Sequence, residues 1–351
     1  MRFYTSLADR AGTDAGVRRV GLLFPALSEP GVEMLRQEYE RELGFAPGVA
    51  MIDPAEVVRM APILSANAVF GALLQPDGHR VDTVRVMGVL AGEVERAGVE
   101  VRTGVAAKEA IVLGGRVAGV RTSAGEIAAG AVVNAAGAAA RSIGARNGVE
   151  IAAVPLLESR FTTEPLPEVA PDLPMMLFFE RDLLYLREQA GGLLVGAIEH
   201  TIGPRSRVDL ASPPRTDDLS DHAALEHEQL ARGLANVIPA LATAPVRERA
   251  SGLPTWTPDG RHILGIAPEV EGYVVLAGCN ECGVTHGPGL ARIAAELVTA
   301  GRTDVDISAY RVDRFADAGA DAIQAAAESQ YLMRHPPEHG IAAAPFGIEL
   351  P

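Results

Sequence analysis

The residues with most chemical potential lie between Leu253 and Val298. Gly278, Gly283, Gly287 and Gly289 follow an apolar run, Tyr273 to Ala277, and lead into Leu290, Ile293, Ala294, Leu297 and Val298, which recur at helical spacing. A buried strand that reaches a helix N-terminus through glycines presents unpaired N–H groups and about half a positive charge, with no side chain to hold a flat ligand off the backbone. Such a turn suits an electron-rich ligand, although an ordinary strand-to-helix connection reads the same way from these residues alone. Cys279 and Cys282, the only cysteines, share this loop in C-x-x-C spacing. A structural zinc site needs four ligands and no second pair exists, while a thioredoxin-type pair belongs in a different βαβ setting, so both read as loop residues beside a ligand. His222, Glu226, His227 and Glu228 crowd a predicted helix from Asp217 to Leu234. H-E-x-x-H would need histidine where Ala231 stands, so this cluster reads as a solvated face.

The elements that must position the glycine turn are legible around it. Thr257-Pro258-Asp259-Gly260 is a turn with Pro and Gly where φ must be preset or free, and His262 to Ile266 follows as a strand. Tyr273 to Ala277 is too uniformly apolar for a half-solvated sheet and reads as a parallel strand buried on both faces. Pro288 is expected in the first turn of the next helix. Ala131 to Gly137 reads as a second buried strand. Upstream, the pattern predicts a helix over residues 1–15, a strand from Arg18 to Phe24 ended by Pro25, a helix from Gly31 to Leu43, and a helix capped by Asp53 with Pro54 at its first position. A strand from Ala68 to Leu74, a helix from Thr83 to Ala97 and a strand from Val99 to Val105 come next. Ile111–Leu113 and Val117–Val120 form a hairpin about Gly114-Gly115, with a further strand from Ile127 to Ala131. Between Ile151 and Ala250 short strands (Arg160–Thr163, Leu183–Arg187, Leu193–Ile198) alternate with prolines, the texture of a separate antiparallel domain. An alanine-rich helix from Ala320 to Arg334 precedes a proline-rich tail.

The 351 residues leave room for about two domains, and 48% hydrophobic content places the chain in the globular class. A net charge of −14 argues against nucleic acid or an anionic membrane as partner. No apolar run approaches the roughly 18 residues of a membrane span, and a cytoplasmic location is expected.

Val132-Val133-Asn134-Ala135-Ala136-Gly137, the TPDG turn, Tyr273-Val274-Val275-Leu276-Ala277-Gly278 and Gly287-Pro288-Gly289, in that order, resemble the FAD-dependent D-amino-acid oxidase, sarcosine oxidase and dimethylglycine dehydrogenase family. The resemblance implies an α/β fold: an FAD-binding, Rossmann-like parallel sheet, incomplete at its N-terminus, with an antiparallel-sheet substrate domain. Residues 1–80 would give part of the substrate domain, 81–150 part of the FAD domain, 151–250 the rest of the substrate domain, 251–315 the C-terminal part of the FAD domain, and 316–351 a helix and tail. Family members open with a βαβ unit bearing G-x-G-x-x-G, which this sequence lacks; its nearest match, Gly287 to Arg292, has Arg in place of the third glycine. The expectation is therefore a truncated sequence or a second chain that supplies the unit.

The reaction implied is hydride transfer from an amine carbon to flavin, giving an imine that hydrolyses, with oxygen or an electron-transfer protein as acceptor. Val105, Ala136, Gly137, Gly260, Gly278, Gly283 and Val284 would line FAD, with Gly287 at the helix terminus facing the flavin ring. Tyr185-Leu186-Arg187 resembles the Y-L-R of the dimethylglycine dehydrogenase branch. Strand alternation sends Tyr185 and Arg187 to one side, where Arg187 would clamp a carboxylate while Tyr185 orients the amine. Glu158 falls where that branch has a substrate-site histidine, a departure suited to a more cationic amine. His286 matches a histidine of the branch; His262 and Arg261 are weaker candidates, and Glu281 is expected to point away from a flavin. No folate-binding domain follows, which argues against one-carbon transfer. The rival reading is a cofactor-free, non-catalytic subunit that retains the fold.

Overall fold

The protein is described from a computed structural model over residues 2–44, 46–180, 184–197 and 231–334. Helix α1 (Arg2–Ala11) is followed by β1 (Val17–Arg19) and β2 (Leu22–Ala26), in place of the single strand expected from Arg18 to Phe24. Gly21, at φ +80°, makes the break, a backbone state that β-strands do not adopt. Pro25 does not end β2 but lies within it. Helix α2 (Glu29–Glu42) begins earlier than expected because Ser28 caps it, its Oγ accepting the Gly31 N–H. Then come β3 (Ala50–Ile52), α3 (Pro54–Met60) capped by Asp53 as expected, β4 (Gly71–Gln75), β5 (His79–Val81) and α4 (Thr83–Arg96).

The strand expected from Val99 to Val105 does not form. Val99 and Val101 are 55% and 50% exposed, and no described strand pairs with them; an extended segment without a hydrogen-bonded neighbour gains nothing from staying extended. Strands β6 (Ala107–Leu113) and β7 (Arg116–Thr122) form the expected hairpin, with Gly114 and Gly115 both at positive φ as its two-residue turn requires. With β8 (Gly125–Ala128) they make a three-stranded antiparallel sheet, followed by β9 (Val132–Asn134) and the short α5 (Ala140–Ala145).

The remaining strands are β10 (Val154–Pro155), β11 (Glu158–Thr163), β12 (Met175–Phe178), β13 (Leu184–Gln189), β14 (Gly192–Ala197), β15 (Val246–Gly252), β16 (Thr255–Trp256), β17 (Ile263–Ile266) and β18 (Tyr273–Ala277). Two helices close the described chain, α6 (Gly283–Ala300) and α7 (Ala320–Arg334). The helix expected from Asp217 to Leu234, with His222, Glu226, His227 and Glu228, falls almost wholly outside the described residues.

An eight-stranded sheet in the order β15-β11-β14-β13-β12-β2-β4-β3 joins strands from both early and middle parts of the sequence. Every neighbouring pair is antiparallel except β12 with β2. Phe161, Leu184, Leu186, Leu193 and Val195 point to one face and bury against Val57, Ile63, Leu64, Ile238 and Leu241. Each fully buried side chain of this size contributes about 1.5–3 kcal/mol. A one-residue slip of β13 would expose Leu184 and Leu186 and bury Tyr185 and Arg187, so the hydrophobic pattern fixes the register. The opposite face carries Glu158, Arg160, Tyr185 and Arg187.

A smaller sheet, β17-β18-β9, has β18 parallel to β9 (Tyr273 opposite Val132, Val275 opposite Asn134) and antiparallel to β17. β18 is buried as expected, whereas β9 is the edge among the described strands and leaves Val133 42% exposed. The buried Asn134 amide ties β9 to the start of α5 and to β18 by donating to the Ala140 carbonyl and the Tyr273 hydroxyl, both at 2.9 Å.

Helix α6 starts at Gly283, five residues before the expected position, and Pro288 lies inside it. Proline has no N–H, so the Val284 carbonyl lacks its donor from within the helix. The Tyr4 hydroxyl of α1 donates to that carbonyl at 2.5 Å instead. No described helix is long and apolar enough to cross a membrane.

Candidate active site

Glu158 and Arg160 on β11, Tyr185 on β13, Gly252 on β15, and the segment from Cys279 to Val284 line one cavity of about 620 Å³. One wall is the polar face of the large sheet and the other is the loop and first turn of α6. A second hollow of about 520 Å³, between α1 and α4, is a weaker candidate because its Asp14 is already paired with Arg18 and Arg85.

On the sheet wall, Arg160 and Tyr185 both stand opposite Gly196 of the intervening strand β14. Residues directly opposite share a face, so the three form one row. A Cβ at Gly196 would come within 2.3 Å of the Tyr185 ring carbon Cζ and hydroxyl, which means the ring lies over this glycine, leaning toward the strand of Arg160. Glu158 is two residues from Arg160 and faces the same way. Its Oε1 is buried without a hydrogen-bond partner.

The loop wall is built by backbone states that side chains rarely adopt. Gly278, Asn280 and Glu281 have φ of +69°, +43° and +63°. Asn280 holds the loop in place: its Oδ1 accepts the Thr257 N–H at 3.0 Å and its Nδ2 donates to the Gly278 carbonyl at 2.9 Å. A Cβ on Gly278 would meet Thr257 Cγ2 at 2.4 Å, so glycine is required there on two counts. The TPDG turn beneath is fastened by Arg314, which grips both carboxylate oxygens of Asp259 at 2.9 and 3.0 Å.

Glu281 does not turn away from the site as expected. It stands just before the positive N-terminal end of α6, where a carboxylate is favoured, and its carboxyl meets that of Glu158. Burial, and after it Glu281, push Glu158 well above the usual glutamate range, with the nearby Trp256 pulling weakly the other way. Two carboxyls so placed disfavour each other's ionisation. Burial first, then these two acids, also raise the Tyr185 phenol above its usual range, so Tyr185 is a neutral donor. Burial and the positive charges of Arg160 and Arg80 lower Arg187.

The other expected site residues are dispersed. Arg187 shares the face of Tyr185, but its Nη1 donates to Gln189 Oε1 at 2.6 Å and it does not line the cavity. His286 lies in the first turn of α6, 2.8 Å from His262. His262 Nδ1 must donate to the Gly278 carbonyl, so its Nε2 is the acceptor when neutral and His286 Nδ1 carries the proton between them. Gly287 is inside α6 and not at its terminus, because the helix begins at Gly283. Ala136 and Gly137 leave the carboxyl end of β9 beside the matching end of β18 that leads to Gly278; Gly260 forms its turn at φ +68°; Val105 sits in irregular chain and not at a strand end. Arg160 was not among the expected residues; it opens the predicted strand Arg160–Thr163, which the structure extends back to Glu158 and so puts both side chains on one face.

Neither side chain nor acidic residue caps the first turn of α6, Gly283 has no side chain, Val284 is 42% exposed, and open space surrounds the Cα of Gly137 at φ +54°. A flat, electron-rich ring needs such a surface: free N–H groups, an apolar side chain and no obstruction. These residues fit the ring end of a flavin. The described residues contain no glycine-rich βα turn of the dinucleotide type.

The family model described as DAO, FAD dependent oxidoreductase, matches residues 1–297. The chain is 29% identical over 319 residues to a 4-methylaminobutanoate oxidase (formaldehyde-forming) of Paenarthrobacter nicotinovorans, covering 89% of this chain and 38% of that protein. It is 27% identical to the mitochondrial pyruvate dehydrogenase phosphatase regulatory subunit of Mus musculus, covering 90% of this chain and 36% of that protein. It thus spans little more than a third of these curated relatives. Among solved structures, glycine oxidase from Geobacillus kaustophilus superposes with a TM-score of 0.74 at 25% identity, covering 89% of this chain and 80% of that one.

Proposed function

The chain belongs to the DAO family of FAD-dependent oxidoreductases, and from that premise we propose that it oxidises a C–N bond of a small amine or N-methyl amino acid, of which 4-methylaminobutanoate, the substrate of one relative, is a fitting example. The observation that carries the reading is the single cavity in which Glu158 and Tyr185 of the large sheet face Gly283 and Val284 of the flavin-fitting helix turn. Bound FAD supplies a two-electron acceptor, so that the substrate carbon gives up hydride and the resulting imine hydrolyses.

The residues of this chain bind, orient and move a proton. Tyr185, a neutral donor folded over Gly196, orients the amine. An ammonium cannot give up hydride until it loses a proton; Glu158 Oε1, buried and unpartnered, is placed to accept an N–H of the substrate, and the Glu158–Glu281 pair takes the proton. Ala136, Gly137, Gly278, Gly283 and Val284 hold the ring, with Gly260 supporting the loop behind it. His286 and His262 brace the helix turn. Residues 1–80 and 151–250 act as the substrate domain, and 81–150 with 251–315 as the cofactor domain. Oxygen or an electron-transfer protein takes the electrons, and another segment or chain completes the dinucleotide cradle.

A non-catalytic reading, which the regulatory subunit among the relatives would bring, is less favoured because the cavity keeps a buried, unpartnered glutamate oxygen beside a second carboxyl and a neutral tyrosine, which a structural subunit would not need. The test is to titrate the purified chain with FAD, follow the visible flavin bands, then add 4-methylaminobutanoate without oxygen. Saturable binding followed by bleaching is expected. Binding without bleaching by this or any N-methyl amine would reject amine oxidation.

A further inference from the structure

The polar face of the large sheet carries two arginines that differ in their commitments. Arg187, expected as the carboxylate clamp, spends Nη1 on Gln189 Oε1 and the Glu188 carbonyl and lies off the cavity. Arg160 lines the cavity, is half-buried, and among the described residues makes no ion pair and no side-chain hydrogen bond. A guanidinium is always charged and offers five donors in a fork matched to a carboxylate, and leaving it partly desolvated without an anion is costly. The acids within the cavity do not answer it, because Glu158 and Glu281 face each other. Along β11 the α-carbons of Glu158 and Arg160 are about 7 Å apart, with both side chains on one face. Acid and base are therefore presented side by side to whatever enters, with the Tyr185 ring flanking Arg160 across Gly196.

We infer that Arg160, and not Arg187, receives the carboxylate of a zwitterionic substrate whose amine is held by Glu158 and Glu281, so that the cavity selects amino acids over simple amines. The spacing along β11 suits amine and carboxylate separated by a short carbon chain. This deepens the amine-oxidation reading and rests on it.

Trp256 is the only tryptophan, is fully buried, and neighbours Glu158, so its fluorescence reports on this wall without any flavin. The full chain is titrated with 4-methylaminobutanoate and with N-methylbutylamine, which keeps the carbon chain and lacks the carboxylate. About tenfold or greater preference for the zwitterion is expected, as for a bidentate arginine–carboxylate pair. Arg160→Gln should abolish that preference, Arg160→Lys should keep part of it, and Arg187→Gln should leave it intact. If Arg160→Gln does not fold, the Lys variant and Arg187→Gln still decide. Preference that survives undiminished in both Arg160 variants, preference lost in Arg187→Gln, or no saturable change with either probe in the wild-type chain would overturn the assignment. Failure of FAD to bind or of its bands to bleach bears on the amine-oxidation reading alone, because this titration contains no flavin.

Discussion

Two half-buried acids on opposite sides of the cavity loop have opposite fates. Asp259, in the TPDG turn, lies in the bidentate grip of Arg314; burial works against its charge, but the Arg314 guanidinium and the Arg261 N–H outweigh it and hold the carboxyl below its usual range. Glu158, on the sheet wall, has no guanidinium, meets a second carboxyl, and is pushed up. The same contrast separates their potential partners, since Arg314 is fully engaged and Arg160 is not. Charges that hold the fold are paired within it, and charges left to a ligand are those the fold declines to pair.

The two acids should therefore respond to pH in opposite directions. A depressed carboxyl contributes stability above its unfolded pKa and loses it as pH falls through the folded value. Asp259→Asn should cost roughly 1.5–3 kcal/mol near neutrality, the scale of charge-assisted hydrogen bonds. The cost should fade toward pH 3 in denaturant melts, and a cost independent of pH would show that the pair is not what matters. Gly196→Ala attacks the other wall: displacing the Tyr185 ring should cost roughly 1–3 kcal/mol as overpacking and weaken binding of 4-methylaminobutanoate. Unchanged stability and binding would mean that the ring does not rest on that glycine. Glu158→Gln should do the reverse of the aspartate change. A raised carboxyl gives full stability below the usual glutamate pKa and loses it as pH rises toward the folded value, so the amide should be equal to wild type at pH 4 and more stable at pH 8. On the order of 1 kcal/mol would appear as a rise of a few degrees in melting temperature. A loss at pH 8 would mean that Glu158 is ionised and paired in the folded chain. The smallest effect belongs to Tyr4→Phe, which leaves the Val284 carbonyl without its donor; about 0.5–1.5 kcal/mol is expected from chemical denaturation.

What could be read from the sequence was whatever local rules decide. The Gly114-Gly115 hairpin, the Asp53 cap and the buried run from Tyr273 to Ala277 are set by turn chemistry, capping and hydrophobic pattern, and each was found. The start of α6 was not legible, because Pro288 is excusable inside a helix only when something distant serves the carbonyl it strands. The strand at Val99 was a correct local pattern without a described neighbour to pair with. Alternation puts Arg187 on the face of Tyr185, yet it cannot tell which of two arginines on a face is already satisfied. Glu281 was expected to avoid a flavin; the left-handed backbone that turns it inward is a tertiary effect of Asn280 and the TPDG turn.

The Tyr4 to Val284 contact joins residues 280 apart in sequence. During synthesis at about 5–20 residues per second, roughly 15 to 55 s pass between the appearance of that tyrosine and of the carbonyl it serves. Until then α1 can pack on α4 through Leu7 and Val86 but cannot complete its last hydrogen bond. The helix turn that fits the flavin is thus fastened late, only after the chain has grown from Tyr4 to Val284.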